Sequence, residues 1–376
     1  MERFRLAAQA QDRAGRARVG AAQVSVRILE AITPSRIGGA EVFVTELHRS
    51  FSEIGAHVEV FCPAGRPFVG YAKARGIEPV TWRTFGKCDP LTVIRLARLM
   101  KRRRMDVIHT HLSTASLLGA FAAKLARRRS VAHVHGLNTA TCFRYSDAVI
   151  AVSEKVKSHL VGQGLDERRV HVVHNGVDLV RFQPMPARDA KIKLGYDPDE
   201  PLLGVFGRLS SEKGQRVAVE AMFLVAKDYP DARLALVGEG DDRKDLETFA
   251  EALGIRGNVV FTGFVQDVRE MMSACDIVLV PSSRGEGFGL AAVEAMALAR
   301  PVIASEQGGL PEIVASGETG LLVQPNDPQD LAEATCRLLA DPVLAAQMGA
   351  RGRKRVEARF ALGEQMRKVL DILECR

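Results

Sequence analysis

A repeated alternation of short apolar runs with longer helical patterns constrains this chain more than any other feature. Apolar runs at residues 26–32, 58–62, 107–109, 131–134, 148–152 and 170–174 are separated by helix-patterned stretches, notably 40–54, 91–104 and 115–127. The pattern then restarts, with runs at 202–206, 233–237, 259–262, 277–280, 302–304 and 321–323. Strands separated by helices in this order pair in parallel, with helices on both faces of the sheet. Two such series predict an α/β chain of two doubly wound domains, which a length of 376 residues accommodates. Residues 182–200 carry Pro184, Pro186 and Pro198, with Pro201 just beyond, and read as the linker. Residues 330–374 are almost wholly helical in pattern. In such folds ligands bind outside the C-terminal ends of the strands, so the loops at those ends carry the functional argument.

The most informative loop follows the run at 277–280. It reads Gly285-Glu286-Gly287-Phe288-Gly289-Leu290 and continues into a helix that bears Glu294. Glycines let backbone N–H groups approach a ligand, and a helix N-terminus favours an anion. A carboxylate one turn further in can accept hydrogen bonds from sugar hydroxyls. The arrangement suits a nucleoside diphosphate carrying a sugar, although an ordinary strand–loop–helix turn with a solvated Glu294 has the same local pattern.

Other loops extend the reading. Gly38-Gly39-Ala40-Glu41 follows the first strand and opens a helix. It is either a backbone anion cradle or a tight turn that needs positive φ. It does not have the glycine spacing of a nicotinamide fingerprint. Arg208 and Lys213 bracket a Ser-rich loop after the first strand of the second series, and two cations there suit a pyrophosphate. Gln307-Gly308-Gly309 follows the next strand after the Glu286 loop. His109 and His111 share one face of a strand, as do His133 and His135. Four histidines could hold a metal, but no carboxylate or cysteine ligand lies near them in sequence, and no metal is expected. His174-Asn175-Gly176 reads as a turn with positive φ.

Charge is unevenly spread. Residues 1–185 hold 29 Lys and Arg against 15 Asp and Glu, whereas residues 186–376 hold 23 against 30. The sharpest basic cluster, Arg95, Arg98 and Lys101 to Arg104, closes a helical run whose Leu91, Ile94, Leu96, Leu99 and Met100 can form an apolar side. Cations in the last turn complement a helix dipole, and the same cluster could meet an anionic membrane. Nucleic acid is not expected as a partner, since only 6% of residues are aromatic and none interleave with the basic residues. Six scattered cysteines without a C-x-x-C pair fit reduced thiols in a cytoplasmic protein. With no run of eighteen apolar residues, no transmembrane helix is expected, so any membrane contact would be peripheral at the inner face. Residues 1–23 read as a disordered basic extension.

Taken in order, Gly38-Gly39-Ala40-Glu41, His174-Asn175-Gly176-Val177-Asp178, Gly207-Arg208 with Lys213-Gly214, and Glu286-Gly-Phe-Gly-Leu-x-x-x-Glu294 resemble family 4 of the retaining glycosyltransferases. The resemblance runs from about Val24 to the C-terminus. It implies the GT-B fold, two Rossmann-like domains facing a central cleft. The N-terminal, acceptor-side domain would span residues 24–184 and the nucleotide-sugar domain residues 185–359. Residues 360–376 would form a helix crossing back to the first domain. It also implies metal-independent transfer of a sugar from a nucleotide-sugar, with retention and no cofactor; the basic N-terminal half favours a saccharide or lipid-linked acceptor. Arg208 and Lys213 would meet the diphosphate, approached by Gly38 and Gly39, and Glu294 the ribose. Glu286 and the amides of Phe288, Gly289 and Leu290 would meet the donor sugar and distal phosphate. His111 would lie near the transferred sugar; His135 and Asn175 are expected on the acceptor side. A departure lies at residues 137–146, where many relatives carry a longer segment. A nucleotide-sugar epimerase of the same fold is the alternative.

Overall fold

The structure, a computed structural model, describes residues 26–375. It divides into two compact units. One comprises residues 26–176 together with 362–375, and the other Val177–Ala361.

The first unit runs β1 (Arg27–Ile32), α1 (Gly39–Glu53), β2 (His57–Pro63), α2 (Pro67–Lys73), β3 (Val80–Trp82), α3 (Pro90–Arg102), β4 (Val107–His111), α4 (Ser113–Ala126), β5 (Arg129–Val134), β6 (Ala148–Ala151), α5 (Glu154–Gly162) and β7 (Val170–Val172). Its seven strands lie in the order β3-β2-β1-β4-β5-β6-β7 and every pairing is parallel. Strand β3 is an addition to the expected series. It is three residues long, at the sheet edge, and only partly buried, so it lacks an apolar run. Residues 137–146 hold a single 3-10 turn, Ala140–Cys142.

The second unit runs α6 (Ala187–Leu194), β8 (Leu202–Phe206), α7 (Gln215–Val225), β9 (Arg233–Val237), α8 (Arg243–Ala252), β10 (Val259–Gly263), α9 (Arg269–Ala274), β11 (Ile277–Val280), α10 (Leu290–Ala297), β12 (Val302–Ser305), α11 (Leu310–Ile313), β13 (Leu321–Val323), α12 (Pro328–Ala340) and α13 (Pro342–Arg359). Its six parallel strands lie in the order β10-β9-β8-β11-β12-β13. Central strands such as β11, Ile-Val-Leu-Val, are buried throughout, which is why they read as continuous apolar runs. The stretch read as linker contains α6. It begins directly after Pro186, and its buried Lys191 reaches Asp276 at 2.6 Å.

The last helix, α14 (Leu362–Glu374), returns to the first unit. Met366, Val369, Leu370 and Leu373 recur at helical spacing and pack with Phe43, Leu47 and Phe51 of α1 in one buried cluster. A fully buried side chain of this kind contributes roughly 1.5–3 kcal/mol, before the entropy of ordering is counted. In both sheets the chain order reverses beside the first strand of the series, between β1 and β4 and between β8 and β11. Ligand crevices form at such switch points. Gly38-Gly39, His111, the Arg208 loop and the Glu286 loop all leave strands there.

Candidate active site

In the second unit three loops converge. The loop after β8 runs against the end of β11. Gly214 has φ +71°, and a Cβ on it would stand 1.8 Å from the Pro281 carbonyl oxygen. This approach brings Lys213 Nζ to 2.8 Å from Glu286 Oε2. The same carboxylate oxygen accepts from Ser282 Oγ at 2.8 Å. The Gln307 side chain donates to the Ser282 carbonyl, and the Gly309 N–H donates to the Glu286 carbonyl at 3.2 Å. Gly308, at φ +59°, lies so close that a Cβ would be 2.0 Å from the Glu286 carbonyl oxygen. Arg208 pairs with Glu212, and its own carbonyl accepts from the buried Gln215 amide at 2.7 Å. The structure therefore brings Arg208, Lys213 and Glu286 into one region, with the Gln215 amide holding the Arg208 carbonyl and the Gln307 amide holding that of Ser282.

Gly289 caps α10 at φ +115°, where a Cβ would strike Leu310 at 2.5 Å. Phe288 is buried and meets Phe360 edge-on at 5.8 Å, so its side chain belongs to the core and only its backbone can serve a ligand. Leu290 is the first helical residue and Glu294 lies one turn on. Burial pushes the Glu294 carboxyl up to about 7, with Arg181 opposing. The site thus combines two cations, two carboxylates of different character, and a glycine-capped helix start. It can stabilise a diphosphate through fixed charge and accept hydrogen bonds from hydroxyls.

In the first unit Gly38 and Gly39 lead into α1. Neither has positive φ: Gly38 is extended at φ −156°, and Gly39 is absent from the left-handed region. A Cβ on Gly39 would meet nothing within 4 Å. The tight-turn reading of this pair is therefore overturned, and the backbone gives no reason for glycine there. The Gly38 N–H donates to Glu41 at 2.9 Å. Burial raises the Glu41 pKa against hydrogen bonds from its own and the Gly38 backbone.

The four histidines gather round Glu30, an acid wholly buried in β1. Glu30 Oε1 lies 3.0 Å from His109 Nδ1, and Oε2 lies 2.8 Å from His111 Nε2. His111 Nδ1 lies 3.0 Å from His135 Nε2, and His109 Nε2 lies 3.3 Å from His133 Nδ1. Phe43 of α1 presents its ring edge-on to His133 and His135 at 4.8 and 5.5 Å. Burial holds His111 and His133 well below the usual histidine range and His135 at about 3, reinforced by the neighbouring rings. His111 is fully buried with both ring nitrogens engaged, and of the four only His135 keeps exposed surface. His109, His111 and His133 offer nitrogens within 4.8 Å of one another, the one grouping of metal-ligand type among the described residues. The contacts to Glu30 and between rings already use those nitrogens, save His133 Nε2, which is buried without a partner.

Gly176 also departs from its expected role. It has no positive φ; instead a Cβ would stand 2.6 Å from Leu362 Cα, at the start of the returning helix. Asn175 beside it has a buried Oδ1 without a hydrogen-bond partner.

Sequence reasoning missed Glu30, Ser282 and Gln215, and it marked Gln307 only as the start of a glycine pair, not as a partner of Ser282. Glu30 had a signal, a lone acid inside an apolar run, because a charge buried in a central strand needs partners. The other three are ordinary polar residues of loops or of a helix start until the fold brings their partners to them.

Comparison with known proteins agrees with this architecture. Residues 187–355 match the family described as glycosyl transferases group 1, and residues 37–181 match glycosyltransferase family 4. The chain is 30% identical to an alpha-maltose-1-phosphate synthase of Mycolicibacterium smegmatis, covering 90% of this chain and 96% of that one. It is 29% identical to a GDP-mannose-dependent monoacylated alpha-(1-6)-phosphatidylinositol monomannoside mannosyltransferase of Corynebacterium glutamicum, covering 90% and 95%. Among solved structures, Anabaena Alr3699/HepE in complex with UDP-glucose superposes with a TM-score of 0.81 at 27% identity, covering 92% and 100%. The fold and site define a glycosyltransferase built from two Rossmann-like units. The chain belongs to the group 1 glycosyltransferases, family 4, of the GT-B type.

Proposed function

We propose that this enzyme moves a hexosyl unit from a UDP- or GDP-sugar to a saccharide or lipid-linked acceptor, with retention at the anomeric carbon and without a metal ion. The observation that carries the reading is the convergence of Lys213, Glu286 and the glycine-capped start of α10 beside the switch point of the second sheet. Support for the donor class comes from the structural neighbour solved with UDP-glucose and the relative described as GDP-mannose-dependent.

The reaction breaks the bond between the anomeric carbon and a phosphate oxygen, and negative charge grows on the leaving diphosphate. In this reading Arg208, Lys213 and the amides of Gly289 and Leu290 meet that charge, supplying what a divalent ion supplies elsewhere. Glu294 accepts from the ribose hydroxyls. Glu286, held by Lys213 and Ser282, orients the donor sugar. The acceptor oxygen forms the new bond on the face the phosphate leaves, and its proton passes to the leaving phosphate oxygen. In the first unit Gly38 and Gly39 offer their backbone to a phosphate-bearing ligand. His111 acts through His135, which with Asn175 serves the acceptor side.

The acceptor reading is a cell-envelope glycan or glycolipid, met at the cytoplasmic face of a membrane. On α3, Leu96 and Met100 are buried as expected, but Leu91 and Ile94 are exposed beside Arg95, Arg98 and Lys101 to Arg104. The neighbouring α4 exposes Phe121 and Leu125 next to Lys124. Apolar side chains among cations suit peripheral contact with an anionic surface, and no described helix is long and apolar enough to cross a membrane.

A thermal-shift panel of UDP-, GDP- and ADP-sugars tests the donor, because a ligand that binds only the folded state raises its stability. Product NMR after incubation with donor alone separates transfer from epimerisation. If no nucleotide-sugar shifts the melting temperature at millimolar concentration, the donor assignment fails.

A further inference from the structure

The histidine cluster permits very few proton arrangements. A carboxylate only accepts hydrogen bonds, whereas a neutral imidazole has one donor and one acceptor nitrogen. His109 and His111 both point a nitrogen at the Glu30 carboxylate: His111 Nε2 lies 2.8 Å from Oε2, and His109 Nδ1 lies 3.0 Å from both oxygens. If both rings donate to it, His109 carries its proton on Nδ1 and His111 on Nε2. The remaining nitrogens of these rings are then acceptors. His109 Nε2 accepts from His133 Nδ1 at 3.3 Å, and His111 Nδ1 accepts from His135 Nε2 at 3.0 Å. Every contact is satisfied, and one residue has set the tautomer of four rings along two branches.

The two branches end differently. The first stops at His133 Nε2, a buried lone pair without a partner. The second reaches His135, the only ring of the four with exposed surface, at the C-terminal edge of the sheet beyond β5. We infer that Glu30 is a positioning residue that fixes His135 as the Nε2–H tautomer through His111, leaving His135 Nδ1 as a hydrogen-bond acceptor for a hydroxyl-bearing ligand. The role of that ligand rests on the glycosyltransfer reading; the tautomer does not. The opposite polarity would make His135 Nδ1 a donor and would favour an anion instead. Glu30 thus decides which chemistry the exposed end of the chain of rings presents, without touching the ligand.

Long-range ¹H–¹⁵N correlation spectra of the full chain, labelled at histidine, read the tautomers directly and need no substrate. His135→Asn and His111→Asn spectra assign the rings. The expected wild-type pattern has His109 and His133 protonated on Nδ1, and His111 and His135 on Nε2. In Glu30→Leu neither ring keeps an acceptor, so a proton left facing the apolar side chain is an unsatisfied buried donor; reversing a branch removes that cost, and its two rings switch together. Reversal of the His111–His135 branch is expected to lower kcat at least tenfold while the nucleotide-induced thermal shift stays unchanged. Wild-type His135 protonated on Nδ1, or present as imidazolium at neutral pH, overturns the inference. So does a folded Glu30→Leu variant whose four rings keep their wild-type pattern. The wild-type spectrum decides even if the variant does not fold.

Discussion

Lys213 and Glu286, 73 residues apart in the chain, form a 2.8 Å ion pair in which the carboxylate is also held by Ser282. A diphosphate would compete for that ammonium, so the pair sets a threshold that only a strongly charged ligand crosses. Lys213→Ala is expected to reduce kcat by about 10²–10³, the usual effect of losing one donor aimed at transition-state charge. KM should move less than tenfold. Steady-state kinetics check this. A rise in KM at constant kcat would assign Lys213 to uniform binding.

Donor affinity should depend on pH through Glu294. Its carboxyl titrates near 7 because of burial. Ribose hydroxyls donate best to the ionised form, so affinity should be full above pH 8 and decline as pH falls through 7. Glu294→Gln should flatten that profile and cost about tenfold to a hundredfold in affinity, matching about 1.5–3 kcal/mol for hydrogen bonds to a charged group. Calorimetric titration with the nucleotide between pH 6 and 8.5 measures both. A wild-type profile without slope would refute the assignment.

The same group gives a stability prediction of opposite sign. A carboxyl whose folded pKa is raised binds more protons in the folded state between its unfolded value of about 4.3 and its folded value. Stability from this group is therefore highest at low pH and is lost as pH rises toward 7, on the order of 3 kcal/mol in all. Glu294→Gln should raise the melting temperature at pH 8 and have little effect at pH 4.5. A variant that is less stable at pH 8 contradicts this.

Glycine substitutions separate fold from ligand. Gly308→Ala forces a Cβ to 2.0 Å from a carbonyl at positive φ and should lower the melting temperature by several degrees. Gly39→Ala meets nothing within 4 Å and should leave stability unchanged or improved. If Gly39 serves close ligand approach, its alanine variant keeps its melting temperature and loses activity. Full activity in Gly39→Ala would leave the first glycine pair without a ligand role.

Membrane contact is testable on α3 and α4. Vesicles of zwitterionic and of anionic lipid should differ in co-sedimentation of the protein, and the difference should shrink with salt. Ile94→Glu and Phe121→Glu, both at exposed positions, should abolish recovery with anionic vesicles without lowering the melting temperature. Equal recovery of wild type with both lipids would leave a soluble acceptor.

The strands of the second unit were legible because parallel strands covered on both faces must be continuous apolar runs. β3 was not, being short, marginal and at an edge. α6 was hidden because Pro184 and Pro186 signal a break while saying nothing of the helix that follows. Its anchor, Lys191 to Asp276, is 85 residues away. Periodicity marked Leu91 and Ile94 as apolar-face residues, but exposure depends on what packs beside a helix. The loop positions of Arg208, Lys213 and Glu286 could be read from chain order. The clamp of Ser282, Gln307 and Gln215 could not, since their partners meet only across loops. His109 and His111 looked equivalent by spacing, and only the depth of Glu30 separates their roles from that of His135.

The return of α14 to the first unit has a consequence for biosynthesis. Phe43, Leu47 and Phe51 are translated before the second unit, and their covering residues, Met366 to Leu373, only after it. At about 5–20 residues per second, the segment between Gly176 and Leu362 takes roughly 10 to 40 s to make. For that interval the nascent first unit carries an uncovered apolar face while the second unit can complete its own sheet. The unit begun first is thus completed only after the second, and a stop within the second unit would leave that face uncovered.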